Sequence, residues 1–171
     1  MFSRNTAVTV LPGALLMLAL SACSSSSYKA YVHQHTLLDG ATLTLKQPIV
    51  VDKFTSTLYL QDGTFQQYPQ IDLFEPHCII ALDDISPVAT SIEPDKFTIS
   101  NFYNYVNAIN WDEFAYESLA DLSSNSNPRV SYLSCKYHGG AEDDVMNITD
   151  IEAVLATFFT LERVAEKPGR Q

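Results

Sequence analysis

Three cysteines and four histidines carry the most varied chemistry in this 171-residue chain. Two pairs of them form a suggestive pattern. His77-Cys78 and Cys135-x-x-His138 supply two sulfur and two nitrogen donors, the ligand types of a tetrahedral zinc site. Neighbouring strand residues point to opposite faces, however, so His77 and Cys78 do not converge easily on one metal. His33 and His35 would share a strand face, but no third ligand accompanies them. Glu142-Asp143-Asp144, after Gly139-Gly140, lacks the spacing and closing acid of a calcium loop, and Asp83-Asp84 offers less. Solvated acidic loops are the simpler reading of both.

Aromatic residues concentrate between Phe102 and Tyr116. Tyr103, Tyr105, Trp111 and Tyr116 are the candidates for a surface that stacks on sugar rings or receives a partner's side chain. Filling a β core is the competing use of the same residues. No Gly-x-Ser-x-Gly elbow occurs, and pairing of carboxylates is a matter of space rather than sequence. No catalytic residue is identified, which weighs toward a non-enzymatic protein without deciding it.

The elements that must position these groups are mostly strands. Thr42–Leu45 and Thr55–Leu60 alternate apolar with polar residues, and Asp62-Gly63 predicts a type I′ hairpin turn. Cys78–Leu82 is a compact apolar run. Lys96–Phe102 alternates, with Phe97, Ile99 and Asn101 assigned to one face, and Pro87 and Pro94 punctuate the loop before it. The stretch 110–122 fits either a capped helix or a strand with aromatic cross-strand partners, and the strongly β-like flanks favour strand. Ser123–Pro128 reads as a loop and Val130–Tyr137 as a strand. Thr149-Asp150-Ile151-Glu152 has the form of a capping box, followed by Val154, Leu155 and Phe158 at helical spacing. The expected fold is mainly β, an antiparallel sheet, sandwich or partly open barrel with one C-terminal amphipathic helix; α+β is the alternative.

The N-terminus has a different character. Arg4, then the short apolar run Ala7–Leu20 broken by Pro12-Gly13, has the layout of an export signal and is too short to span a bilayer comfortably. Leu20-Ser21-Ala22-Cys23 resembles the bacterial lipobox. That resemblance implies cleavage before Cys23, with S-diacylglycerol and N-acyl lipid on that cysteine and no other cofactor. The expected organisation is a signal peptide over 1–22 and a lipidated cysteine with flexible tether over 23–35. A single periplasmic domain follows over 36–166, with a polar tail over 167–171. Removing the 22 residues before Cys23 leaves 149 of the 171. Losing Arg4 moves the formal charge from −10 to −11, which disfavours nucleic acid and anionic head groups.

With Cys23 acylated, Cys78 and Cys135 remain. Export to an oxidising compartment predicts their disulfide, which removes the thiols from the zinc pattern and leaves only His77 and His138 as residual metal candidates. The layout also resembles small Gram-negative envelope lipoproteins of uncharacterised activity. The resemblance lies in the lipobox, Phe74-Glu75-Pro76-His77-Cys78, Ile92-Glu93-Pro94-Asp95-Lys96-Phe97, Leu122-Ser123-Ser124 with Pro128, Leu133-Ser134-Cys135, and the helix at Thr149. It implies a β-rich domain with one disulfide and a late helix, and no activity.

Ser24 stands where enteric-type sorting uses an aspartate to retain lipoproteins in the inner membrane. The expected location is therefore the periplasmic face of the outer membrane, held by lipid. The expected role is a binding or assembly module for an envelope protein or cell-wall polymer. The rival roles are a periplasmic enzyme acting on cell-wall glycan and a small-ligand or metal carrier.

Overall fold

The structure is a computed structural model that describes residues 38–163. Cys23, the lipobox, the tether, His33, His35 and the polar tail lie outside the described residues. The elements are β1 (Thr42–Leu45), β2 (Ile49–Val51), β3 (Thr57–Gln61), β4 (Thr64–Gln66), β5 (His77–Leu82), β6 (Thr90–Ile92), β7 (Lys96–Ala108), β8 (Phe114–Ser123), β9 (Val130–Gly139), α1 (Ile148–Leu155) and β10 (Phe159–Glu162). Eight strands form one antiparallel sheet in the order β10-β1-β7-β8-β9-β5-β3-β4, and β2 pairs with β6 in a separate ribbon. The fold is mainly β, and the stretch 110–122 belongs largely to a strand.

Alternation decides which face is inside. Leu43 and Leu45, Leu58 and Leu60, Ile80 and Leu82, Phe97 and Ile99, and Ala120 and Leu122 all turn inward and are buried. The sheet curls until its two edges approach. Phe65 of β4 meets Phe158, just before β10, with ring centroids 4.5 Å apart. Helix α1 packs on β3, β5 and β10 and inserts Ile151, Val154 and Leu155 into the same core. The arrangement is a partly open barrel closed by a helix. Its interior retains a void of only about 10 Å³, on the scale of one water.

The β3–β4 turn has the predicted form. Asp62 and Gly63 both have positive φ, 51° and 68°, as a type I′ turn requires. A β-carbon on Gly63 would also lie 2.4 Å from Thr157 Oγ1.

Three local expectations are corrected. Asn101 does not share the inward face with Phe97 and Ile99. A bulge between Ser100 and Tyr103 gives it φ 51° and turns Phe102 inward in its place. Asp121 accepts from Asn101 Nδ2 at 2.7 Å, and Asp39 accepts from the Phe102 amide at 2.9 Å, which holds the bulge. The helix is capped by Asn147 rather than Thr149: the Asn147 side chain accepts from the Asp150 amide at 3.0 Å, and Thr149 lies inside the first turn. The helix also ends at Leu155, so Phe158 packs from a connecting turn and the described residues continue as β10 on β1.

Candidate functional site

The sulfur and histidine groups sort first. Cys78 and Cys135 stand directly opposite each other on β5 and β9 and form a disulfide, both essentially buried. The antiparallel register places them there. His77 lies on the other face of β5, buried, with Nδ1 3.0 Å from the Glu75 carbonyl oxygen. Burial holds its imidazole below the ordinary histidine range, against an opposing pull from that carbonyl. His138 Nδ1 lies 2.9 Å from Glu113 Oε1. With both thiols oxidised, the two-sulfur, two-nitrogen set does not assemble. Among the described residues, no three His, Cys, Asp or Glu side chains gather where they would hold one ion.

The acidic residues also have local roles. An open cleft of about 620 Å³ is lined by Phe74, Asp112, Glu113, His138 and Asp143, among others. Glu113 is engaged by His138 and by Asn110, and Asp143 Oδ2 accepts from the Gly140 amide at 2.7 Å. These carboxylates shape the loop ends. Asp83, Asp84, Glu142 and Asp144 are exposed.

The outer face of the sheet carries a different pattern. In-register pairing lines up Tyr103, Leu119, Ser134, Ile79 and Tyr59 across β7, β8, β9, β5 and β3. Beside this row Tyr105 faces Glu117, and Tyr132 lies between Asp121 and Ala81. Tyr68, from a short 3₁₀ turn over Tyr68–Gln70, adds its ring to Tyr59 at 5.3 Å. Tyr103 and Tyr105 stack at 5.9 Å with ring planes 26° apart. Five tyrosines thus border an apolar centre of Ile79 and Leu119.

The outward face of an antiparallel sheet is ordinarily polar. This one is dominated by phenols, whose apolar bodies and hydroxyl tips suit a surface that is wet when free and covered when bound. The short 3₁₀ turn at Tyr68–Gln70 lies against one edge of it, its centre at Ile79 is buried beneath the rings, and Tyr68 and Tyr132 remain exposed.

Glu117 lies at the floor of this face and is 9% exposed. Tyr105 Oη donates to one of its oxygens at 2.5 Å and Ser134 Oγ donates to the other. The Tyr105 phenol is pushed well above its usual range, first by burial and then by the acceptor carboxylate that stabilises its proton. Tyr59 is raised as well, by burial and by the nearby Tyr68 and Tyr132. These hydroxyls are therefore neutral donors throughout the physiological range.

The four aromatics singled out in the sequence divide. Tyr103 and Tyr105 belong to this face. Tyr116 points to the opposite side, 4% exposed, stacked on Tyr137 and donating to the Gly140 carbonyl at 2.5 Å. Trp111 lies at the tip of the β7–β8 hairpin, 85% exposed. A single surface of the four does not form, because Tyr105 and Tyr116 occupy opposite faces of paired strands. Tyr59, Tyr68 and Tyr132 also belong to this face, though no local pattern in the sequence marks them for it. Alternation in Thr57–Gln61 sets Tyr59 opposite Leu58 and Leu60, but only strand order brings it beside Tyr132.

No helix among the described residues is long and apolar enough to cross a membrane. Comparison with protein-family models, curated proteins and solved structures returns no match, so the functional reading rests on the chain's own geometry.

Proposed function

We propose that this chain is an envelope lipoprotein, tethered through acylated Cys23 to the periplasmic face of the outer membrane. Its β domain is a non-enzymatic module that docks an envelope protein or cell-wall polymer. The observation that carries the reading is the tyrosine face of β3, β5, β9, β8 and β7, with Tyr68 and Tyr132 exposed on it and Glu117 at its floor. Tyrosine supplies large contact area with few rotors to freeze and a hydrogen-bonding tip, which is why it is enriched at recognition surfaces. The acidic balance of the chain makes nucleic acid a poor partner.

The rival roles have weaker support. Of the carboxylates in the Glu113 cleft, Glu113 and Asp143 are engaged in holding loop ends, which argues against a glycan-cleaving pair. The interior void lined by Leu38, Ile99, Leu155 and their neighbours is only about 10 Å³, far below the size of a carried ligand.

The docking test uses the full, membrane-tethered protein in cells. A photo-crosslinking residue replaces Tyr132 or Tyr68, both exposed on the face, and separately Val50, 74% exposed on the β2–β6 ribbon. Discrete adducts from the tyrosine positions and none from Val50 are expected; adducts from Val50 alone, or none at all, overturn the docking surface. The anchor is tested apart from it. Cys23→Ala should abolish palmitate labelling and leave the precursor uncut, whereas continued labelling refutes the lipid assignment. Recovery of the protein with inner-membrane markers on a sucrose gradient refutes the outer-membrane location.

A further inference from the structure

Strands β3 and β5 meet two neighbouring loops at one end of the barrel, 52–56 before β3 and 83–89 after β5. The loops are tied together. The Phe54 amide donates to the Ser86 carbonyl at 2.7 Å, Ser86 Oγ donates to the Val88 carbonyl at 2.8 Å, and the β2–β6 ladder sets Val50 opposite Ser91. This unit carries Val50, Phe54, Ile85 and Val88, each more than half exposed. Alternation explains part of the pattern, since Ile49 and Val51 turn inward and leave Val50 outside. The β7–β8 hairpin, with Trp111 at its tip, projects from the opposite end of the sheet.

Exposed apolar residues scattered singly need no explanation, but a group of them on adjoining loops does. Phe54 sharpens the point. Its φ is 62°, a left-handed conformation in which glycine or asparagine is at ease and a bulky aromatic is not. The residue is 66% exposed, so packing within the domain does little to offset that strain. An aromatic held in a disfavoured backbone state and left in solvent is explained by what it meets outside the domain.

Reach, chemistry and charge select the occupant. The 14 residues between Cys23 and Leu38 span at most about 50 Å. On the anchor reading above, on which this inference rests, the domain therefore stays beside the leaflet that holds the lipid. Attachment raises the effective concentration of that surface, so weak insertion suffices. The apolar side chains are interleaved with the hydroxyls of Thr55, Ser56 and Ser86, groups that suit the head-group layer. Asp52, Asp83 and Asp84 outnumber Lys53 on the two loops, which turns away anionic head groups and a second copy of this acidic chain. Zwitterionic lipid meets no such repulsion.

We propose that these loops are a membrane-contact surface, with Val50, Phe54, Ile85 and Val88 resting in the apolar margin of a zwitterionic phospholipid leaflet. The contact orients the domain, loops toward the lipid and the Trp111 hairpin away from it. Full-length lipidated protein in phosphatidylcholine vesicles with brominated acyl chains tests this, because bromine quenches only a tryptophan that reaches the chains. Trp111 is the single tryptophan and reports the far end; Trp111→Phe with Phe54→Trp moves the reporter to the loops. Most of the emission at residue 54 should be lost and that of Trp111 kept, and replacing part of the lipid by phosphatidylglycerol should weaken the quenching at 54. Val50→Trp with Trp111→Phe is a second reporter if the first variant does not fold. Co-flotation with the vesicles reads the anchor separately. Protein that floats without quenching at the loops overturns this inference alone, and protein that does not float refutes the anchor and this inference with it. Quenching at Trp111 instead, or quenching that grows with phosphatidylglycerol, overturns it as well. So does a blue shift at 54 without bromine quenching, the mark of a second copy on the loops, and so do discrete protein adducts from the Val50 crosslinker in cells.

Discussion

The disulfide offers the sharpest test of how this domain is held together. Replacing Cys78 and Cys135 together by Ala opens a loop whose ends are 57 residues apart in sequence. In the chain-entropy account, cross-linking a loop of that length stabilises the fold by about 4 kcal/mol at 25 °C, through restriction of the unfolded chain. Both cysteines are inside the barrel, 0% and 1% exposed, so losing the two sulfurs also removes packed atoms and adds roughly 1 kcal/mol. Residual compactness of the unfolded chain acts in the opposite direction. The expected loss is therefore about 3–5 kcal/mol, or roughly 10–20 °C in Tm for a domain of this size. Urea unfolding of the oxidised protein and the double-Ala variant measures it, with equal slopes confirming that the midpoint shift reports stability. Thiol reagents should find no reactive sulfur in native wild-type protein. A difference below about 1 kcal/mol would show that β5 and β9 are held by packing and hydrogen bonds alone, and the entropic reasoning would fail.

Three further predictions address individual elements. Asn147→Ala should cost about 1 kcal/mol in urea unfolding through the lost cap, while Thr149→Ala, at an exposed position within the helix, should be close to neutral; the reverse order would restore the capping box at Thr149. Gly63→Ala should destabilise by about 1–2 kcal/mol, because the residue has φ 68° and its new β-carbon meets Thr157 Oγ1; an unchanged Tm would show that the turn and the helix end yield freely. His77 makes the fold acid-sensitive. Its folded-state pKa lies below the unfolded value near 6.5, so its contribution is complete above that pH and is lost as pH falls through the folded value. A Tm profile from pH 7.5 to 5 should fall in wild type and flatten in His77→Gln, and parallel profiles would contradict this.

Much of the fold was legible because the signals were local. The two positive-φ residues of the Asp62-Gly63 turn, the alternation in β1, β3 and β7 and the apolar run of β5 each express the conformational preferences of a few consecutive residues. Cysteine count and the expected compartment pointed to the Cys78–Cys135 bridge. Local reasoning stopped where two local options competed. Asn147 and Thr149 are both fit to cap, and in the fold Asn147 takes the role by accepting from the Asp150 amide. The apolar periodicity runs on to Phe158, but that residue belongs to a turn leading into an edge strand paired with β1.

The candidate site was the least legible part, for a physical reason. A strand's sequence specifies which of its residues share a face, but not which strands lie beside it. Tyr103 and Tyr105 could be paired from their spacing alone. Placing Tyr59, Tyr68 and Tyr132 with them and sending Tyr116 to the other side required the register of five strands and one bulge. Those are set by long-range burial summed over the whole core, which no short window of residues contains. The chain's local chemistry determined the elements, the likeness to an exported lipoprotein and the expectation of a disulfide, while tertiary packing alone decided which side chains meet.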